Sequence, residues 1–96
     1  MIHLVCYDIA TAEPADARRL RAVAKLLERY GVRVQKSVFE VVLGEETFRH
    51  IRAALLDTID TKRDSLLIYC IDGAKRTTME THGALARNDM FANMII

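Results

Sequence analysis

Stretches of strand-forming residues alternate with two segments of helical period, and this alternation limits the folds open to a chain of 96 residues. Ile2 to Tyr7 is a short apolar run, which predicts a buried strand. From Ala15 to Tyr30 the apolar residues recur at helical spacing, which predicts an amphipathic helix. A second helix is predicted over Glu45 to Ile59. Asp64 to Asp72 then predicts a strand that is apolar on both faces.

The β-rich stretch from Val32 to Leu43 is too long to be one strand of so small a domain. Extended, its twelve residues would span about 40 Å, whereas such a domain has a radius of gyration of about 13 Å. We therefore divide the stretch near Lys36 and Ser37 into two strands of a tight hairpin. A further short strand is predicted over Thr77 to Thr81.

The resulting order, β-α-β-β-α-β, predicts an α+β protein with the ferredoxin-like split βαβ arrangement and an antiparallel sheet, plus a short C-terminal strand. We place this ferredoxin-like domain at residues 1–83. Residues 84–96 are assigned to a C-terminal tail that could pair with a partner protomer.

The first and last core strands carry apolar residues on both of their faces. Leu4 and Cys6 lie on one side of the first strand, and Val5 and Tyr7 lie on the other. An antiparallel sheet covered by helices on one side normally has a polar open face. A large exposed apolar face is rare on a monomer, so we predict a homodimer that packs sheet against sheet.

The overall composition is that of a globular protein, with 51% hydrophobic and 28% charged residues, and it excludes a disordered chain. No apolar run approaches the roughly 18 residues needed to span a bilayer, so we expect a cytoplasmic protein without a membrane partner. Cys6 and Cys70 lie in apolar runs without C-x-x-C spacing and are predicted to be buried thiols. The three histidines, His3, His50 and His82, lack metal-ligand spacing and are predicted to be surface or edge residues.

Basic residues are concentrated in and after the first helix, although the net charge of the whole chain is only +1. Residues 18–36 hold seven basic groups against one acid, Glu28, which gives a local charge of +6. These basic groups are the candidate nucleic-acid contacts: Arg18, Arg19, Arg21, Lys25, Arg29, Arg33 and Lys36. This excess of positive charge favours a polyanionic ligand. The alternative is the ordinary solvated face of an amphipathic helix.

Asp8 closes the first strand on the same side as Leu4 and Cys6. If that side forms the dimer face, a two-fold axis could bring two copies of Asp8 together. Paired carboxylates repel unless a cation lies between them, and hard oxygen ligands suit Mg²⁺ or Mn²⁺. Such an ion can activate water against a phosphodiester. The alternative is a carboxylate that caps the strand end or the following helix.

Several short segments resemble the family of CRISPR-associated protein two. The likeness extends from Met1 to about Gly83. It includes the segments Tyr7-Asp8-Ile9, Arg18-Arg19-Leu20-Arg21, Arg33-Val34-Gln35-Lys36-Ser37-Val38-Phe39-Glu40 and Asp64-Ser65-Leu66. The R-x-Q-x-S-V-F-E stretch together with the early Tyr-Asp pair makes the resemblance specific.

The resemblance implies a homodimer that bridges CRISPR integrase dimers in spacer acquisition. It also implies a metal-dependent endonuclease that acts on RNA or duplex DNA. Asp8 matches the family's metal-binding aspartate, Arg19 and Arg21 lie in its basic helix, and Lys36 occupies a variable position. The positions tied to activity are Arg33, Ser37 and Phe39. A C-terminal strand of the family often adds to the sheet of the partner.

Two classes of function therefore remain open from the sequence. One is an Mg²⁺-dependent endonuclease with Asp8 as the ligand. The other is a non-catalytic adaptor that uses the basic helix as a DNA platform. Outside the family, a ligand-sensing regulatory domain or a toxin-type RNase could have the same fold. The fold alone does not decide among these functions.

Overall fold

The computed structural model describes residues 1–72 and 76–84. Two helices and five strands follow one another in the order β-α-β-β-α-β-β. Their bounds are β1 Ile2–Asp8, α1 Pro14–Tyr30, β2 Val32–Gln35, β3 Val38–Val42, α2 Glu45–Thr58, β4 Ser65–Asp72 and β5 Arg76–Gly83. The predicted elements are confirmed, with ends that differ by one residue in most cases. The last strand is longer than the predicted Thr77 to Thr81.

The five strands form one antiparallel sheet in the order β2-β3-β1-β4-β5. β1 is central, and its residue Asp8 lies opposite Ser65 at the start of β4. The predicted ferredoxin-like arrangement is therefore confirmed. The first four strands reproduce it, and β5 adds to the sheet beside β4 of the same chain. The tail assigned to residues 84–96 lies, beyond Ala84, outside the described residues.

The hairpin between β2 and β3 turns at Lys36 and Ser37, where the length argument divides the β-rich stretch. The backbone N–H of Tyr7 donates to the carbonyl of Ser37 at 3.1 Å, which ties this turn to β1. The register of the two strands shifts between Arg33 and Gln35. β2 is thus a short and irregular edge strand.

The main core lies between the two helices and one face of the sheet. Alternation along β1 directs Val5 and Tyr7 to this side, where the helices contribute their apolar stripes. The fully buried side chains are large and apolar, and they include Leu27 of α1 and Phe48 and Leu55 of α2. Neither helix in the described part of the chain has the length and apolar character needed to span a membrane.

The opposite face of the sheet, called here the open face, is also apolar, as predicted. Cys6, Val38 and Leu67 form a second cluster on it, and Tyr69 and Met79 pack against them. At the margin of this face Val32 and Val42 are 66% and 60% exposed. Cys6, Val38 and Leu67 are already buried within the single chain, so the apolar surface that this face leaves exposed lies at Ile2, Val32 and Val42.

Two sequence-based predictions about individual side chains need correction. His3 is not a surface or edge residue, because it faces α2 and is 0% exposed. Burial is the main reason that its pKa is lowered, and the charge of Glu45 opposes that shift. Cys6 is buried, as predicted, but Cys70 is only partly buried, and both thiols are free.

Candidate functional site

A pocket of about 360 Å³ opens where β1 ends, between the middle of α1 and the β2–β3 hairpin. Its lining residues are Tyr7, Asp8, Ile9, Leu20, Arg21, Ala24, Arg33, Lys36 and Ser37. One carboxylate, three basic side chains and the hydroxyls of Tyr7 and Ser37 therefore border the same space. Asp8, Arg21, Arg33, Lys36 and Ser37 all belong to the set of candidate site residues from the sequence. They come together because the end of β1 and the hairpin turn lie at the same end of the sheet.

Arg33 is held in place at the edge of this pocket by three contacts. Its Nη1 donates to the carbonyl oxygen of Lys36 at 2.6 Å, and its Nη2 lies 3.3 Å from Oε2 of Glu28. Its guanidinium carbon lies 4.8 Å from the centre of the Phe39 ring, within the range of a cation–π contact. The side chain is still 41% exposed. Arg33 is thus a pre-positioned cation with surface left for a ligand.

Phe39 and Ser37 occupy different environments, although the resemblance ties both to activity. Phe39 is 0% exposed, and its ring lies 6.2 Å from that of Tyr7 in the main core. It supports Arg33 from beneath and does not line the pocket. Ser37 is half-buried in the hairpin turn and does line the pocket. Phe39 therefore contacts Arg33 without bordering the pocket, whereas Ser37 borders it directly.

The basic residues of α1 divide into an exposed group and one residue that is held inward. Arg18, Arg21, Lys25 and Arg29 are exposed along one stripe of the helix, as predicted. Arg19 lies about 100° around the helix from Arg18. Its Nε donates to Oδ2 of Asp64 at 2.7 Å, and its Nη2 donates to Oδ1 of that carboxylate at 3.1 Å.

Arg19 belongs to a network of two buried carboxylates and two arginines, completed by Asp16 and Arg63. The Nη2 of Arg63 donates to Oδ2 of Asp16 at 2.6 Å. Hydrogen bonds, that from Arg63 first among them, hold the pKa of Asp16 well below its usual range, although burial opposes the shift. Arg19 also pairs with Asp16. This network fixes the start of α1 against the start of β4. Arg19 is thus held in a structural network, and its contact with nucleic acid stays a prediction.

Comparison with known proteins identifies the family of this chain. The family model described as CRISPR associated protein Cas2 matches residues 1–79. The chain belongs to the Cas2 family. It is 38% identical over 96 residues to the CRISPR-associated endoribonuclease Cas2 of Chlorobaculum tepidum, with 100% of both chains covered. It is 37% identical over 90 residues to the CRISPR-associated endonuclease Cas2 of Halalkalibacterium halodurans, with 94% of both chains covered.

Solved structures agree with this family membership. The chain resembles Streptococcus pyogenes Cas2, crystallised at pH 6.5, with a TM-score of 0.70 and 44% sequence identity. That match covers 77% of this chain and 89% of the other. A second structure of Cas2 matches with a TM-score of 0.63 and 29% identity over 91% of this chain and 87% of the other. The resemblance drawn from the sequence motifs is thereby confirmed.

The pocket of this Cas2-family chain supplies only part of the ligand set that Mg²⁺ requires. Asp8 supplies the hard oxygen ligand that Mg²⁺ prefers. Among the residues that line the pocket it is the only carboxylate, and it shares the lining with Arg21, Arg33 and Lys36. One carboxylate beside three cations is too few ligands for a divalent ion. The residues of a single chain therefore fit the ion only if a second copy contributes its own Asp8.

Two buried ion pairs near the pocket were not predicted from the sequence: Asp16–Arg63 and Asp64–Arg19. One signal for Asp16 was available, because it lies three residues after Glu13 at the start of a helix, the spacing of a capping box. Its carboxylate accepts from the backbone N–H of Glu13 at 2.8 Å. Nothing in the sequence links Asp16 to Arg63, which is 47 positions away.

Proposed function

We propose that the protein is a CRISPR-associated, metal-dependent endonuclease that hydrolyses phosphodiester bonds in RNA or duplex DNA. The observation that carries this proposal is the pocket in which Asp8 lies with Arg21, Arg33 and Lys36. A carboxylate for a divalent cation and basic groups for phosphate oxygens are the two requirements of this chemistry. Relatives named endoribonuclease and endonuclease support it.

Each polar residue of the pocket has a distinct part in this proposal. Asp8 would hold Mg²⁺ or Mn²⁺, whose bound water is acidified and supplies the nucleophile. Arg33 offers its remaining donors to the scissile phosphate, and its stack on Phe39 fixes the guanidinium before the substrate arrives. Arg21 and Lys36 neutralise the charge of adjoining phosphates. Ser37 lies close enough to the pocket to donate a hydrogen bond to the same oxygens.

The proposed active form is a homodimer that buries the open face of each sheet. Its support is the apolar surface that this face leaves exposed in the single chain, at Ile2, Val32 and Val42. A dimer would also supply the second Asp8 that the metal requires. Light scattering at micromolar concentration should give twice 10.9 kDa. A soluble monomer under these conditions would contradict both the dimer and the shared metal site.

Membership of the Cas2 family supports a proposal for the cellular role. We propose that the homodimer works in the cytoplasm during spacer acquisition, bridges the CRISPR integrase subunits and holds DNA. The exposed stripe of α1 would contact the phosphates, and a dimer would carry it twice. Its members are Arg18, Arg21, Lys25 and Arg29.

Cleavage of labelled RNA and duplex DNA in Mg²⁺ tests the catalytic proposal. Asp8→Asn should abolish cleavage because the amide cannot replace the charged metal ligand. Asp57→Asn, which changes an exposed carboxylate on α2, should cleave like the wild type. All proteins are compared at the same dimer content, and a chelator should stop the wild-type reaction. Full activity of Asp8→Asn would overturn the assignment of Asp8.

A second candidate function, a non-catalytic DNA-binding adaptor, is favoured by one observation. Asp8 is the only carboxylate that borders the pocket, and two-metal nucleases offer more ligands. An adaptor would bind duplex DNA as a dimer, and neither the wild type nor any variant would cleave. Wild-type cleavage that is lost in Asp8→Asn would reject this alternative.

DNA binding can be measured separately from cleavage. Each phosphate contact contributes about 0.9 to the slope of log affinity against log salt, so Arg18→Ala/Arg21→Ala/Lys25→Ala should flatten that slope by about 2.7. Arg49→Ala, which removes one exposed charge on α2 outside the proposed surface, should leave the slope unchanged. An unchanged slope in the triple variant would place the DNA-binding surface elsewhere.

A further inference from the structure

Three potential metal ligands from distant parts of the chain meet at the end of the sheet remote from Asp8. His3 of β1 and Cys70 of β4 are direct cross-strand partners, and Glu45 is the first residue of α2. One ligand atom from each of the three lies within 4.8 Å of the other two. His3 and Asp8 are five positions apart along β1, which corresponds to roughly 17 Å. The cluster is therefore distinct from the proposed nuclease pocket.

The imidazole of His3 gives an independent reason to expect a ligand. The side chain is 0% exposed, and within residues 1–72 and 76–84 neither ring nitrogen has a hydrogen-bond partner. Buried polar groups are nearly always satisfied, so this ring requires an explanation. It stacks on Phe48 with a centroid distance of 3.6 Å and an interplanar angle of 4°. The stack covers one face and leaves the ring edge, which carries the nitrogens, as the part that can bind.

The donor set and its charge select the class of metal. An imidazole nitrogen, a thiolate sulfur and a carboxylate oxygen together suit Zn²⁺, which accepts all three kinds of ligand. Mg²⁺ takes oxygen ligands and would not select this set. The negative charges of one thiolate and one carboxylate would neutralise the two positive charges of Zn²⁺. The neighbouring charges also offset each other, because Nη2 of Arg52 pairs with Oε2 of Glu80 at 2.8 Å.

The movement required to form a zinc site is small. Zn–N and Zn–S bonds of about 2.0 and 2.3 Å in a tetrahedral site place neighbouring donors about 3.5 Å apart, and the three ligand atoms already lie within 4.8 Å of one another. The exposed side chain of Glu45 can rotate toward the ion, and His3 and Cys70 are cross-strand partner residues. Glu45 also lies at the surface, which gives the ion a path of entry.

We propose that His3, Cys70 and Glu45 form a zinc site with one position open to water. The bound ion would join α2 to the two central strands and satisfy the buried imidazole. Binding would release the thiol proton as the thiolate forms.

Calorimetric titration of the metal-free full chain with zinc tests this site directly. The wild type should bind one zinc ion per chain, and its melting temperature should rise with zinc concentration. Substitution by Co²⁺ should give a thiolate-to-cobalt charge-transfer band in the near ultraviolet. Absence of stoichiometric binding by the wild type would overturn the proposal.

Matched variants identify the ligands. Cys70→Ser should lose the charge-transfer band and the zinc-dependent rise in melting temperature, whereas Cys6→Ser, on the other face of the sheet, should keep both. Glu45→Gln should weaken binding at least tenfold. His3→Phe keeps an aromatic ring on Phe48 while it removes both nitrogens, so it should fold and bind no zinc. Equal zinc binding by Cys70→Ser or by His3→Phe would overturn the assignment.

The zinc-site proposal and the nuclease proposal can be refuted independently of each other. Asp8→Asn should bind zinc as the wild type does, and excess Mg²⁺ should not displace the ion. Loss of zinc binding in Asp8→Asn would contradict a site made of His3, Cys70 and Glu45, whatever the result of the cleavage assay.

Discussion

The Asp64 carboxylate offers a demanding test of the buried network, because four donors converge on it. It accepts from Nε and Nη2 of Arg19 at 2.7 and 3.1 Å and from the backbone N–H groups of Asp60 and Ala10 at 2.8 and 3.0 Å. Asp64→Ala removes one partner of a buried ion pair, a change that typically costs about 3–5 kcal/mol. Arg19 keeps its contact with Asp16, so we expect the lower end of this range, about 3 kcal/mol.

Urea unfolding at a fixed protein concentration measures this loss of stability. Asp57→Ala is the control, because it removes an exposed carboxylate and should change stability by less than about 0.5 kcal/mol. Burial by itself would raise the pKa of Asp64, but hydrogen bonds from Arg19, Asp60 and Ala10 outweigh it and lower the pKa below 3.8. The stabilisation is therefore present above pH 3.8 and is lost as the pH falls through the folded-state value.

The difference between the wild type and Asp64→Ala should accordingly shrink in acid. A loss below about 1 kcal/mol at neutral pH, the size of a typical single hydrogen bond, would refute the structural role of this carboxylate. A difference that stays constant through the acid range would refute the electrostatic part of the reasoning.

Two further predictions concern backbone geometry and thiol reactivity. Gly83 has φ of +106°, and a Cβ there would overlap the carbonyl oxygen of Asp64, so Gly83→Ala should destabilise the fold by about 1–3 kcal/mol or more. Gly44→Ala is the control, since a Cβ at that position meets no atom within 4 Å and urea unfolding should show little loss. Burial raises the pKa of Cys6 to about 11, so at pH 8 its alkylation should be about 100-fold slower than that of an ordinary thiol and should accelerate tenfold per pH unit. Site-resolved mass spectrometry measures the rate, and ordinary reactivity of Cys6 at pH 8 would contradict its burial.

The order of elements could be predicted from the sequence because it depends on local patterns. Helical and strand periods are read over short windows, and the division at Lys36 and Ser37 follows from the limited size of the domain. The stripe on α1 is equally local. The inward placement of Arg19 could have been read from the helical phase, since it lies off the stripe formed by Arg18 and Arg21.

The contacts that give individual residues their roles depend on partners far away in the chain. Alternation assigns His3 to one face of β1, but it does not reveal that Phe48 covers that face. Asp64 falls in the strand predicted over Asp64 to Asp72, and its bond to Arg19 spans 45 positions. Such pairings arise from how the helices pack on the sheet, and no local pattern encodes them.

The two outer strands of the sheet differ in the regularity of their backbone. β2 has only four residues, its register shifts between Arg33 and Gln35, and a basic side chain follows at Lys36. These features oppose the addition of a foreign strand and protect that edge from aggregation. β5 continues in unbroken register against β4 from Arg76 to Gly83. Another chain that extended this sheet would therefore find a suitable template on the β5 side and not on the β2 side.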